Sequence, residues 1–159
     1  MYGAKFYPVT LSLLASRGNP EIVKIMLDNG ADIKQFVHLW LVAANGHLEV
    51  LKLLIKYGAA VNMNFHKTAL HTAVENNHKE IVSELLKNGA NTNLQDKNGN
   101  TPIHAASTQP QAMKVLLDEG TNLNLEIQNQ LGDTAFEFEL KNECKDVAKI
   151  MLHFNHQNR

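Results

Sequence analysis

A single cysteine, Cys144, stands in the 159-residue chain, so no disulfide can form within it and a reducing compartment is the economical expectation. Aromatic residues make up only 6% of the sequence against 44% hydrophobic residues overall. A large aromatic-centred core is thereby excluded, and the core must be aliphatic and distributed. Fifteen basic and sixteen acidic side chains leave a formal net charge of −1, with no block of one sign. Such a balance supplies no long-range field for gripping a phosphate backbone or an anionic bilayer, so neither nucleic acid nor membrane is expected as a partner. No apolar run approaches the ~18 residues of a spanning helix. The opening residues Met1 to Phe6 lack the charged-then-apolar order of a secretory leader. Cytoplasmic residence is the resulting expectation, with the nucleus or the cytosol of a host cell also compatible.

What the chain has instead is repetition. Five segments align: Gly18-Asn19-Pro20-Glu21-Ile22-Val23, Gly46-His47-Leu48-Glu49-Val50-Leu51, Asn77-His78-Lys79-Glu80-Ile81-Val82, a degenerate Pro110-Gln111-Ala112-Met113, and Glu143-Cys144-Lys145-Asp146-Val147. They begin 28, 31, 33 and 33 residues apart. The first four lead through an aliphatic cluster to Gly30-Ala31-Asp32, Gly58-Ala59-Ala60, Gly89-Ala90-Asn91 and Gly120-Thr121-Asn122. Thr68-Ala69-Leu70-His71, Thr101-Pro102-Ile103-His104 and Thr134-Ala135-Phe136 stand upstream of the last three. A helical stripe such as Ile81, Val82, Leu85 and Leu86 follows each turn, and the glycines are placed to end it as left-handed caps. Threonine can cap a short preceding helix, and Pro102 sits at a first-turn position where a missing N–H does little harm.

This pattern resembles the ankyrin repeat, a unit of about 33 residues with a T-P-L-H-x-A signature, a β-turn and two antiparallel helices. The resemblance spans nearly the whole chain and implies an all-α solenoid of stacked helix-turn-helix units with short β-hairpin fingers. One domain over residues 1–159 is expected, with units near 5–34, 35–65, 66–97, 98–130 and 131–159. Several departures fall in loops. The first connection, Lys34 to Val37, is about five residues short of the family norm, and the finger Met63 to Lys67 is also abbreviated. Unit four loses two residues between its helices near Pro110. Unit five reads as a C-terminal cap, with Glu139 where a small buried Ala is usual. Unit one is either an N-terminal cap or the point where a longer array is interrupted. A true cap predicts a monomer, whereas association through Phe6, Tyr7 or Leu11 would mark an interrupted array.

Eight histidines invite a metal hypothesis. By the resemblance, however, His71 and His104 are signature residues that bond neighbouring units, and His47 and His78 are turn residues. His38, His66, His153 and His156 form no His-Glu-x-x-His motif or close helical pair, so no metal or other cofactor is expected. Cys144 in a terminal turn reads as an ordinary thiol rather than a nucleophile. Glu137, Glu139 and Glu143 can share a helical face and are most simply a solvated one. No residue is assigned a catalytic role, and an enzyme is not expected.

The resemblance implies a protein–protein interaction module whose concave side, made by finger tips and first helices, receives a partner protein. The residues facing that side by register are Arg17 in unit one; Phe36, Trp40, Leu41 and Asn45 in unit two; and Phe65, Lys67, Thr72, Glu75 and Asn76 in unit three. Lys97, Asn98, Asn100, Thr108 and Gln109 follow in unit four, then Leu131, Phe138 and Lys141 in unit five. Aromatic and Arg anchors usually dominate such surfaces, which singles out Trp40, Phe36, Phe65, Phe138 and Arg17. Trp40 stands in the signature His position of unit two, where it either fills space left by the shortened finger or serves as an exposed anchor. Two further roles fit the same plan. One is a stand-alone inhibitor similar to those of cyclin-dependent kinases or Rel-type factors. The other is a host-directed effector of an intracellular microbe or virus, for which the Asn-rich composition fits an AT-rich genome.

Overall fold

A computed structural model describes residues 8–33 and 38–157. Phe6, Tyr7 and Phe36 lie outside the described residues. The helices of the described chain come in antiparallel pairs: α1 (Pro8–Ser16) with α2 (Pro20–Asp28), α3 (Leu39–Ala44) with α4 (Leu48–Lys56), and α5 (Ala69–Glu75) with α6 (Lys79–Lys87). A 3-10 turn (His104–Ala106) then pairs with α7 (Pro110–Glu119), and α8 (Ala135–Lys141) with α9 (Lys145–Gln157). Second helices stack in one row, α2 on α4 on α6 on α7 on α9, while α1, α3, α5, the 3-10 turn and α8 stack in another. Between the rows runs a strip of aliphatic side chains. Val23, Leu51, Leu54, Val82, Leu85, Met113, Leu116 and Met151 are all buried. Burying a side chain of that size stabilises by roughly 1.5–3 kcal/mol, and each pair alone leaves one flank uncovered, so stability is shared between neighbours.

The helices start where their sequences offer caps. The Asn19 side chain accepts from the Ile22 N–H, with Pro20 next in line. Thr68 and Thr134 each form a reciprocal capping box, the partner being His71 in the first and Glu137 in the second. Between the helices of a pair the backbone turns through a left-handed residue: Gly18 at φ 77°, Gly46 at 76°, Asn77 at 57° and Glu143 at 58°. Gly18 also makes room for the His47 imidazole, whose Nε2 lies 2.9 Å from the Ser16 carbonyl oxygen. A Cβ on Gly18 would come within 2.4 Å of that ring. Gly18→Ala is expected to lower stability by about 1–2 kcal/mol in urea denaturation, through strain at positive φ and loss of the His47 contact.

The expected β-hairpin fingers do not form as strands. Among the described residues, one isolated antiparallel bridge joins Gln128 to Thr134. The loops are held by side-chain amides instead. Asn62 donates to the Gly89 carbonyl and accepts from the Asn91 N–H. One unit later Asn93 does the same for the Asn122 carbonyl and the Asn124 N–H. A second line runs from Asn64 to the Gln95 carbonyl and from the Gln95 amide to the Gln128 carbonyl. Part of the abundance of asparagine thereby has a structural use: it satisfies loop backbone groups that strand pairing would otherwise satisfy.

Three further expectations are corrected. Gly30, Gly58 and Gly89 have positive φ, but Gly120 is extended, and Asn122 takes the left-handed conformation at φ 55°. Glycine at 120 answers a close approach, since a Cβ there would lie 2.3 Å from the Leu116 carbonyl oxygen. The first helix of unit four shrinks to the 3-10 turn because two residues are missing before α7 and Gln109 precedes Pro110. A residue before proline is driven away from helical ψ, and Gln109 has ψ 71°. Finally, Glu139 is no part of a solvated face. Its side chain is fully buried and neither carboxylate oxygen has a hydrogen-bond partner. Its register mates Leu14, Val42, Ala73 and Ala106 are all apolar. Burial pushes the Glu139 pKa up from 4.5 to about 7, with the Cys144 thiol as the polar group acting against that rise. Glu143 occupies the left-handed turn, and Glu137 caps its own helix.

Candidate partner-binding surface

The short finger Met63 to Lys67 leaves α3 and the next loop uncovered, and the three together enclose a depression of about 550 Å³. His38, Trp40, Phe65, His66, Lys67, Glu75, Asp96, Lys97, Asn98 and Asn100 line it. Phe65 is 56% exposed although it sits beside other rings. The His38 ring meets Phe65 edge-on at 5.1 Å between centroids and lies tilted 6.0 Å from Trp40. Such offset and edge-on contacts hold aromatic side chains in a defined orientation. The loop carrying Phe65 is tied down on both sides, by the Asn64 amide on the Gln95 carbonyl and by the Lys97 N–H on the His66 carbonyl at 2.9 Å.

Most of the charge around this aromatic floor is already paired. Lys67 donates to Glu75 at 2.6 Å. Asp96 Oδ1 accepts from the Asn98 and Asn100 N–H groups and shapes the tip of the next loop. Lys97 is exposed and its ammonium has no ion-pair partner among the described residues. The His38 Nδ1 atom is buried without a hydrogen-bond partner. The depression therefore offers an apolar, aromatic floor, one available cation and several amides.

Seven residues selected from the sequence meet here: Trp40, Phe65, Lys67, Glu75, Lys97, Asn98 and Asn100. Asn100 is largely occupied, its carbonyl accepting from His71 and its Oδ1 from Asn129. The other selections separate from this cluster. Thr72 is buried, its hydroxyl on the Trp40 and Ala69 carbonyls, so it faces the preceding unit rather than a partner. Leu41 and Phe138 occupy the same register slot and are half-buried; the Phe138 ring lies 6.1 Å from His104 of the unit before. Asn45 donates to the Ser16 carbonyl and Asn76 to the Thr72 carbonyl, which commits both amides to the scaffold. Lys141 is ion-paired with Asp133. Thr108 accepts from Gln109, while Arg17 and Leu131 are exposed; none of these four lines the depression. His38, His66 and Asp96 join the surface without having been selected. His38 carried a signal, since it immediately precedes the first helix of the unit whose finger is shortened.

The buried histidines complete the frame. His71 Nδ1 accepts from the Thr68 N–H at 3.2 Å, so the proton resides on Nε2, which donates to the Asn100 carbonyl at 2.9 Å. His104 repeats the arrangement with Thr101 and, at 3.1 Å, the Asp133 carbonyl. Each imidazole thus caps its own helix and clamps the next loop. Burial pushes both pKa values below the usual histidine range. The sequence also matches a family described as ankyrin repeats (3 copies), over residues 11–96 and again over 84–159.

The chain belongs to the ankyrin-repeat family.

No individual curated protein matches it. Ankyrin repeats are generally protein–protein interaction modules and typically non-catalytic. Among the described residues of this ankyrin array, no helix is long and apolar enough to cross a membrane.

Proposed function

We propose that this ankyrin array binds a partner protein through the depression between units two, three and four. The supporting observation is the oriented aromatic floor in which an exposed Phe65 stands edge-on to a half-buried His38 beside Trp40. An apolar anchor of the partner seats on that floor, and a neighbouring carboxylate or carbonyl of the partner approaches Lys97. Because the loops are held by the amide network before binding, little ordering is required on association. A specific complex of this kind covers on the order of 1,600 Å² in total. The finer assignments, inhibitor or host-directed effector, depend on the identity of that partner.

The test is affinity capture with wild type, Trp40→Ala and Phe65→Ala, followed by mass-spectrometric identification of what is lost and titration of the purified partner. Each substitution is expected to weaken binding at least tenfold while far-UV circular dichroism stays unchanged. Equal affinity for all three proteins would remove the assignment.

A further inference from the structure

Four Asn-Gly pairs stand in the chain: Asn29-Gly30, Asn45-Gly46, Asn88-Gly89 and Asn98-Gly99. Such a pair can react with itself, because the asparagine side-chain carbon can close a five-membered ring onto the next backbone nitrogen and glycine places no Cβ in the way. All four asparagines are exposed. In every pair the glycine N–H donates to the carbonyl three residues upstream, that of Leu27, Ala43, Leu86 or Asp96, so the glycine side does not tell them apart. The asparagine side does. Asn29 donates its amide to the Ile25 carbonyl at 2.8 Å and Asn45 to the Ser16 carbonyl at 3.1 Å. Asn88 donates to the Glu84 carbonyl at 2.8 Å and to Glu84 Oε1 at 3.0 Å. These three end α2, α3 and α6, and each must break its tether before the side chain can swing onto the glycine nitrogen. Asn98 lies at a loop tip, and its side-chain amide has no hydrogen-bond partner among the described residues.

We propose that Asn98 is a site of spontaneous deamidation, and that the reaction places a negative charge on the rim of the depression beside Lys97. The Gly99 nitrogen attacks Asn98 Cγ and gives up its proton; the new C–N bond closes a succinimide, and the amide nitrogen leaves as ammonia. Water then adds to either ring carbonyl. Cleavage at the side-chain carbonyl restores the peptide bond and leaves an aspartate. Cleavage at the backbone carbonyl leaves an isoaspartate, with the main chain routed through the former side chain. Either product holds a carboxylate where an amide stood, so the formal net charge of −1 becomes one unit more negative. The isoaspartate also converts the Asn98 carbonyl, which accepts from the Gln130 N–H at 3.0 Å, into that carboxylate and lengthens the tip by a methylene. Asn98 and Lys97 both line the depression, and the Lys97 ammonium is the cation there without an ion-pair partner among the described residues. The new carboxylate neutralises it and weakens capture of a partner's carboxylate. This effect on capture rests on the binding site proposed above; the modification itself does not.

Ageing of the purified chain in mildly alkaline buffer at body temperature, followed by proteolysis in acid and tandem mass spectrometry, tests the proposal. Asn98 is expected to convert about fivefold to tenfold faster than Asn29, Asn45 and Asn88, the difference being the hydrogen bond that each of those must break. In heavy-oxygen water the product should gain one solvent oxygen. In urea, where no tether survives, the four pairs should react at similar rates. Asn98→Gln keeps an amide at this exposed position but requires a larger ring, so it should abolish the conversion there with circular dichroism unchanged. Equal rates at all four sites of the folded chain, faster loss at a helix-ending asparagine, or an intact Asn98 over a period in which the unfolded chain converts would each overturn the proposal. For the binding effect, Asn98→Asp should hold the captured partner less tightly than wild type, and equal affinity would overturn that effect alone.

Discussion

Glu139→Leu should make the protein more stable, and increasingly so as the pH rises. The carboxyl titrates near 4.5 in an unfolded chain and at about 7 in the folded one. Below pH ~4.5 it is neutral in both states and costs nothing through ionisation. Between 4.5 and 7 the unfolded state releases the proton while the folded state retains it, so stability falls as pH rises, and the full penalty is present above ~8. A shift of this size corresponds to roughly 3 kcal/mol, since each unit of pKa is 1.36 kcal/mol. Leucine is a natural replacement because Leu14, Val42, Ala73 and Ala106 hold the same slot with apolar side chains. Thermal unfolding at pH 8.5 should show a gain of roughly 6–12 °C for the variant, shrinking toward pH 5. An unchanged pH dependence would mean that the buried carboxylate is not the source.

The same titration separates a second set of groups with the opposite sign. His71 and His104 have folded pKa values below 6.5, the unfolded value, so the unfolded chain takes up protons that the folded one refuses. Their contribution is intact above pH 6.5 and is lost as pH falls through that value. In the wild type this loss is partly offset by protonation of Glu139 over an overlapping range. The leucine variant removes the offset and should display a steeper decline in acid.

His71→Ala should produce the largest loss of stability. The substitution removes the Nε2 donation to the Asn100 carbonyl and the acceptor for the Thr68 N–H, and it empties a site with no exposed surface. Stranding the Thr68 N–H, taking one of two donors from the Asn100 carbonyl and leaving a cavity together correspond to roughly 3–5 kcal/mol, measurable as a lower urea midpoint. Hydrogen exchange should quicken near Asn100 and Thr101 as well as in α5. Glu137→Ala is the matched control. Glu137 fills the same slot in unit five but bonds only to Thr134, so its replacement should cost about 1 kcal/mol, the value of a helix cap.

The helical pairs were legible because their signals are local and periodic. Turn residues at 18, 46, 77 and 143, threonine caps at 68 and 134, and aliphatic stripes after each turn act within one or two turns of chain. Glu139 was legible as an odd residue in an alanine slot, but its lack of any partner was not, since that depends on what α9 and the Cys144 turn place around it. The burial of Thr72 and the contact of Phe138 with His104 were not legible for a related reason. Register places a residue on a helix face, yet whether that face meets solvent or the neighbouring unit depends on how the pairs stack.

The amino-acid sequence by itself determined the repeat, the pairing of short helices and the aliphatic core, because each follows from spacing along the chain, while the roles of His71 and His104 came from the resemblance to ankyrin repeats. Only the tertiary structure decided which side chains share a surface. The depression around Trp40 and Phe65 is assembled from three units separated by about thirty residues each, and its shape depends on a short loop leaving a neighbour uncovered. The scarcity of aromatic residues excluded an aromatic core from the outset. Their use became apparent only when stacking brought Phe65 edge-on to His38, which neighbours Trp40.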